Sequence, residues 1–238
     1  VKTPAAATAL DFTHVDHWVF DLDNTLYPSA CNLFAQIDVR ITEFVARTLD
    51  LPFADARLIQ KRLYAEHGTT LSGLMKLHKL QPDGFLDYVH DIDLAPLDLA
   101  PDLGATLSGL PGKRYIFTNG SLHHAERVTR KLRIDHLFDD MFDIRASKFL
   151  PKHDPLAYEH FLDHTGVDPA GAVMFEDLAR NLAPAHARGF TTVLVREGQD
   201  WSPEAQLGRP TGPADHGHVH HETADLAGFL GNLRVKPR

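Results

Sequence analysis

Four short apolar stretches punctuate the chain, and three of them run directly into polar clusters. Trp18-Val19-Phe20, reading back as far as Val15, meets Asp21-Leu22-Asp23-Asn24; Arg114-Tyr115-Ile116-Phe117 meets Thr118-Asn119-Gly120; Ala172-Val173-Met174-Phe175 meets Glu176-Asp177. Thr191-Thr192-Val193-Leu194-Val195 is the fourth. Brief strands that are apolar on both faces, rather than alternating, predict a parallel sheet covered on each side.

Between the strands the apolar period changes. Phe34, Ile37, Ile41, Phe44 and Val45 recur at helical spacing, predicting a helix from Cys31 to about Leu49 that Pro52 ends. A second helix is expected from Ala54 to His67, then a connection over Gly68-Thr69-Thr70-Leu71-Ser72-Gly73 with room for helical continuation beyond it, and a further helix from Pro82 to Val89 ahead of Pro- and Asp-rich sequence. Beyond the second strand, helices are expected over His123–Leu132, Asp154–His164 and Asn181–Arg188, with a connection through Phe138 and Phe142. Residues 198–213 read as a loop and Glu222–Leu233 as a closing helix. The fold class is therefore α/β: a Rossmann-like, three-layer α/β/α parallel sheet. The expected division is a sheet domain of residues 1–28 and 104–238, with residues 29–103 as a helical insert. No internal repeat is evident.

Composition narrows the function. With 24 basic against 32 acidic residues the net charge is −8, which disfavours polymeric nucleic acid. Arg127, Arg130, Lys131 and Arg133 alternate with Val128, Leu132 and Ile134 as a solvated helix face would. One cysteine, Cys31, leaves no internal disulfide. No run of eighteen apolar residues occurs, so no membrane span is expected, and the opening Pro4–Leu10 lacks the apolar stretch of a secretory signal. A cytoplasmic enzyme, monomeric or homodimeric, is the expectation. The histidines His216, His218, His220 and His221 lie without cysteine in a polar, Gly-containing tail and read as a solvated loop rather than a metal site.

Ligands of an open parallel sheet bind beyond the carboxyl ends of its strands, where Asp21 and Asp23, Thr118 and Asn119, and Glu176 and Asp177 converge. Gathered carboxylates repel one another unless a cation compensates them, and hard oxygen donors suit Mg²⁺ held jointly with a substrate phosphate. Lys148 and Lys152, between the second and third strand ends, are the candidate side-chain cations.

These motifs resemble those of the haloacid dehalogenase-like (HAD-like) hydrolase superfamily: Asp21-Leu22-Asp23-Asn24-Thr25-Leu26-Tyr27, Thr118-Asn119-Gly120, Lys152-His153-Asp154-Pro155, and Glu176-Asp177 followed by Asn181. His153 departs from the commoner Lys-Pro-Asp-Pro form and leaves Lys148 and Lys152 both open as the active-site lysine. The resemblance implies a two-step phosphoryl transfer in which Asp21 attacks phosphorus and Asp23 serves as acid and then base. It also implies Mg²⁺ held by Asp21, Asp23 and Asp177, with Glu176 supporting, phosphoryl oxygens held by Thr118, Asn119 and Gly120, and charge balance from Lys152. Dehalogenase relatives lack the second aspartate, because halide leaves without a proton, so Asp23 argues for phosphate chemistry. A phosphomutase shares both aspartates.

The insert falls where one branch of the superfamily carries a helical cap. Tyr64-Ala65-Glu66-His67-Gly68-Thr69-Thr70-Leu71-Ser72-Gly73-Leu74 and the run Asp23–Pro28 are similar to pyrimidine 5'-nucleotidase-like members. That implies UMP or CMP as substrate, with Tyr64, His67, Thr69 and Thr70 contacting base or ribose; read without it, the same residues are a helix end and a turn. A sugar phosphate or phosphoglycolate is the alternative substrate, and a noncatalytic ligand-binding or regulatory protein on the same scaffold the alternative class.

Overall fold

The computed structural model describes residues 9–196 and 217–237. Six strands form one parallel sheet: β1 (His17–Phe20), β2 (Lys113–Phe117), β3 (Asp140–Phe142), β4 (Ala172–Glu176), β5 (Thr191–Val195) and β6 (His221–Thr223), in the order β3-β2-β1-β4-β5-β6. After β2 and β3 extend the sheet on one side of β1, the chain returns to lay β4 on the other. That reversal beside a central strand opens a crevice at the carboxyl edge.

Side chains alternate cleanly to the two faces, as the strand period of two requires. Trp18, Phe20, Ile116, Val173, Phe175, Val193 and Val195 join one apolar cluster, and Val19, Tyr115, Phe117, Phe142, Met174 and Leu194 the other. The second face is covered by α7 (Pro155–Thr165) and α8 (Ala179–Ala187), which contribute Tyr158, Phe161 and Leu182. The first is covered by α5 (Pro101–Gly109), α6 (Leu122–Leu132) and α9 (Leu226–Gly231). On α6 the residues 125, 128 and 132 form the buried stripe, and Ser121 caps its start by accepting from the His124 amide.

The inserted helical region follows β1: α1 (Leu33–Leu49), α2 (Phe53–His67), α3 (Thr70–His78) and α4 (Pro82–Val89). Its Ile37, Val45, Leu63, Leu74 and Phe85 continue the first apolar cluster without a break. Three sequence expectations change here. The connection at residues 68–73 becomes a helix break: Gly68 caps α2 at φ 81° and Thr69 caps α3, its Oγ1 accepting from the Ser72 amide. Helix α5, hidden in Pro- and Asp-rich sequence, begins with Pro at its first turn and runs unbroken across residues 103 and 104 to pack against α9. Residues 222–233 are not one helix: His221–Thr223 pair as an edge strand before α9 starts.

The histidine tail is also more ordered than a solvated loop. His218 Nε2 bonds the Ala179 carbonyl, His220 Nδ1 accepts from the Thr192 amide, and His221 opens β6. His216 and the loop expected at 198–213 lie outside the described residues. No helix among the described residues is long and apolar enough to cross a membrane.

Candidate active site

Register delivers the chemistry to one place. Phe20 stands opposite Ile116 on β2 and Phe175 on β4, so the next residues along each strand converge on one edge. The Asp21 amide still bonds the Phe175 carbonyl at 2.8 Å, which carries the ladder one step past β1 and fixes the Asp21 backbone beside Glu176. Asp21, Glu176 and Asp177 each offer a carboxylate oxygen, and these oxygens lie within 4.8 Å of one another.

Lys152 joins this cluster, and it is 1% exposed. Its ammonium bonds both Asp21 Oδ1 and Glu176 Oε2, the latter at 2.5 Å. Lys148 is exposed, so of the two lysines only Lys152 enters the site. The backbone holds it there, since the Lys152 amide donates to Asn119 Oδ1 at 3.0 Å. His153 does not displace the lysine; it packs under the insert at Gly68, where a Cβ would come within 1.9 Å of His153 Cε1. Gly68 is thus demanded twice, by its positive φ and by this approach.

The remaining sequence-identified residues fall around the same edge. Thr118 is buried, and its Oγ1 accepts from the Gly120 amide at 2.9 Å. Thr25 Oγ1 donates to Asp21 Oδ2 at 3.0 Å, Asn181 Nδ2 to Glu176 Oε1 at 3.1 Å, and Asn24 Nδ2 to Asp177 Oδ2 at 3.4 Å. Asn24 sits at φ 61°, a left-handed conformation that asparagine tolerates. Asp23 accepts on Oδ1 from Tyr27 at 2.5 Å and shares a 2.8 Å hydrogen bond with His124 Nε2.

One ammonium beside two buried carboxylates and a half-buried third leaves a surplus of negative charge. Burial, together with the charge of Glu176, pushes the Asp21 carboxyl well above the usual carboxylate range, although Lys152 pulls against the shift. Asp177 is raised by burial and by the charges of Glu176 and Asp21. Asp23 goes the other way: burial would raise it, but the charge and hydrogen bond of His124 and the bond from Tyr27 hold it down at about 2. For Lys152 burial favours the neutral amine, yet Asp21 and Glu176 outweigh it and raise the group.

A cavity opens from this cluster into the insert. It is lined by Asp21, Asp23, Thr118, Asn119, Gly120 and Lys152, and on the insert side by Phe34, Phe85, Tyr64, Thr69, Thr70, Asp38, Gln60 and Lys61. Tyr64 is covered by the Arg180 guanidinium 4.5 Å from its ring centroid, and Thr70 Oγ1 bonds the Gln60 carbonyl at 3.4 Å. His67 is not among the lining residues; it lies against Gly73 at the end of α2. Reading the sequence did not single out Asp38, Gln60 and Lys61, nor His124 and His90. For His124 a signal existed, because it stands four and eight residues before Val128 and Leu132 on the buried stripe of α6.

The family model for haloacid dehalogenase-like hydrolases matches residues 15–189, and the chain belongs to that family of hydrolases. Among curated proteins it is similar to phosphate metabolism protein 8 of Saccharomyces cerevisiae, 28% identical over 193 residues, covering 74% of this chain and 60% of the yeast protein. The chain thus spans less than two thirds of that relative. Among solved structures, a HAD phosphatase from Thermococcus onnurineus superposes with a TM-score of 0.59 at 18% identity over 93% of this chain and all of its own. L-2-haloacid dehalogenase from Xanthobacter autotrophicus superposes at 0.52 and 16% identity, over 91% of this chain and 97% of its own. Both likenesses concern the fold.

Proposed function

We propose that the protein is a Mg²⁺-dependent phosphomonoester hydrolase that works through an aspartyl-phosphate on Asp21. The single observation that carries this reading is the pairing of a buried, double-held carboxylate at Asp21 with a second carboxylate at Asp23 whose Oδ2 receives no hydrogen bond from the described residues. A dehalogenase has no use for the second group.

The donor set fits a hard divalent cation. Three carboxylates lie around one ammonium that pairs with two of them, and the buried amide oxygens Asn24 Oδ1 and Asn181 Oδ1, both on residues lining the cavity, have no hydrogen-bond partner among the described residues. Asp21 and Asp177 would hold Mg²⁺ with the Asp23 carbonyl, and Glu176 would support it. When bound, the ion supplies positive charge that offsets carboxylate and phosphoryl oxygens.

Asp21 attacks phosphorus as the P–O bond to the leaving group breaks, and Asp23 gives that oxygen a proton. Water then attacks the aspartyl-phosphate, Asp23 takes its proton, and phosphate leaves with Asp21 regenerated. His124 and Tyr27 hold the Asp23 carboxyl below the usual carboxylate range, which favours the ionised form required of the base; the negative charge of an arriving phosphate favours the protonated form required of the acid. Lys152 balances the nucleophile, while Thr118 and the Asn119 and Gly120 backbone hold phosphoryl oxygens.

A small phosphorylated metabolite is the substrate class, and a pyrimidine nucleoside monophosphate is the finer reading. Support for it lies in Tyr64, Thr69, Thr70, Phe34 and Phe85 lining the cavity beside the phosphoryl site. A sugar phosphate or phosphoglycolate suits the same cavity. The test is phosphate release from UMP, CMP, purine monophosphates, sugar phosphates and phosphoglycolate, with Mg²⁺ or EDTA, for the wild type and Asp21→Asn. Turnover on at least one substrate is expected, lost by ~10³-fold or more in the variant. A preference for UMP and CMP supports the nucleotidase; a preference elsewhere rejects it and keeps the phosphatase. Turnover that survives EDTA and Asp21→Asn overturns the whole reading.

A further inference from the structure

Asp23 is gripped from one side only. Both hydrogen bonds it takes from described residues fall on Oδ1, one from Tyr27 and one from His124 Nε2, and Asp23 is among the residues lining the cavity. His124 is fully buried. Its ring is stacked on His90, with centroids 4.6 Å apart and planes 15° from parallel. His90 is itself fixed: its Nδ1 shares a 3.0 Å bond with Ser121 Oγ, and its carbonyl accepts from Arg127 at 2.8 Å. His124 Nδ1 is buried with no hydrogen-bond partner among the described residues. A buried polar nitrogen left unsatisfied costs about 1–3 kcal/mol. Apolar residues of similar size would fill this stripe of α6 without that cost, so packing alone does not account for an imidazole here.

We propose that His124 is a positioning residue for the leaving-group step: with the His90 ring fixing its plane, it holds Oδ1 so that Oδ2 faces the phosphoryl group. The inference rests on the phosphatase reading above. When the P–O bond breaks, the electron pair goes to the leaving oxygen, and the Asp23 proton must reach that atom along a short line. Misplacing the carboxylate forfeits the benefit of proton donation, which is typically 10²–10⁴-fold. An alkoxide needs that proton, whereas p-nitrophenolate leaves without it.

The experiment compares kcat/KM for p-nitrophenyl phosphate with kcat/KM for the alkyl phosphate that the wild type hydrolyses fastest. In His124→Leu the alkyl value is expected to fall ~10²-fold, and by at least tenfold more than the aryl value. His124→Gln, which returns an N–H near the position of Nε2, should recover most of the ratio. Equal losses on both substrates, or a ratio that His124→Gln leaves as disturbed as His124→Leu does, would overturn the proposal. Should His124→Leu not fold, Tyr27→Phe carries the test: it removes the other donor to the same oxygen and should move the ratio in the same direction by a smaller factor, an unchanged ratio again being fatal. Absence of Asp21-dependent turnover by the wild type on every alkyl phosphate overturns the phosphatase reading itself, an outcome distinct from an undisturbed ratio in an active enzyme.

Discussion

Two carboxylate-centred clusters face the same cavity and solve opposite problems. In the insert, Asp38 on α1 is a single carboxylate surrounded by donors from α2: Gln60 Nε2 at 2.6 Å, Lys61 Nζ at 2.7 Å and an Arg57 guanidinium nitrogen at 3.1 Å. At the sheet edge, Asp21 and Glu176 share one ammonium, and Asp177 adds a third carboxylate beside them. The first cluster has more positive charge than it needs and ties two helices together. The second has too little, and burial keeps water from making up the difference. Where a fold tolerates such a deficit, the missing charge is expected to arrive with a ligand, and the deficit marks the site more sharply than the count of acidic residues does.

Removing the shared cation should break the comparison most visibly. Lys152→Met leaves two buried carboxylates facing each other without their counter-ion, and a loss of about 3–5 kcal/mol is expected in EDTA, measured by denaturant unfolding. Mg²⁺ should return part of that loss. A variant as stable as the wild type would show that the lysine does not hold the carboxylates together.

Asp38→Asn should cost less, about 1–3 kcal/mol, because Arg57 is 42% exposed at its side chain and water can take over some of its bonding. Mg²⁺ should make no difference to that loss. A Mg²⁺ dependence as large as that of Lys152→Met would erase the distinction drawn between the clusters.

The smallest expected effect has the opposite sign. The folded protein holds the Asp21 proton more tightly than an unfolded chain does, so Asp21 contributes stability below about pH 4 that is lost as the pH rises toward about 7. Asp21→Asn lacks this loss. In EDTA its stability relative to the wild type should therefore climb between those pH values, to a gain of about 1–2 kcal/mol, at the expense of activity. Taking the difference between the two proteins cancels the opposing slope from His90, which burial and the charge of His124 hold down at about 3. A flat difference across the window would place Asp21 in a compensated environment.

Much of the fold was legible because it is written in local periods. The four long strands and the helices α1, α2, α4, α6, α7 and α8 follow from runs and stripes that need no partner to be seen. The edge strands β3 and β6 carry only three residues each, too few to show a period, and their neighbours in the sheet select them. Helix α5 was hidden because its Pro101 reads as a breaker, although at a first turn proline costs no hydrogen bond.

The site divides in the same way. That Asp21, Asp23, Thr118, Glu176 and Asp177 end three strands was fixed by the chain order alone, since parallel strands place their carboxyl ends on one edge. Which lysine enters depended on the Asn119 side chain receiving the Lys152 amide, a contact across 33 residues. His124 reaches Asp23 across 101 residues, and the Asp38 cluster joins α1 to α2. Sequence determines residue type, local period and the order of elements, because these depend on near neighbours. Partnerships between distant side chains are decided only when the sheet register and the packing of the insert bring them within hydrogen-bond reach, and it is there that surplus and deficit of charge are set.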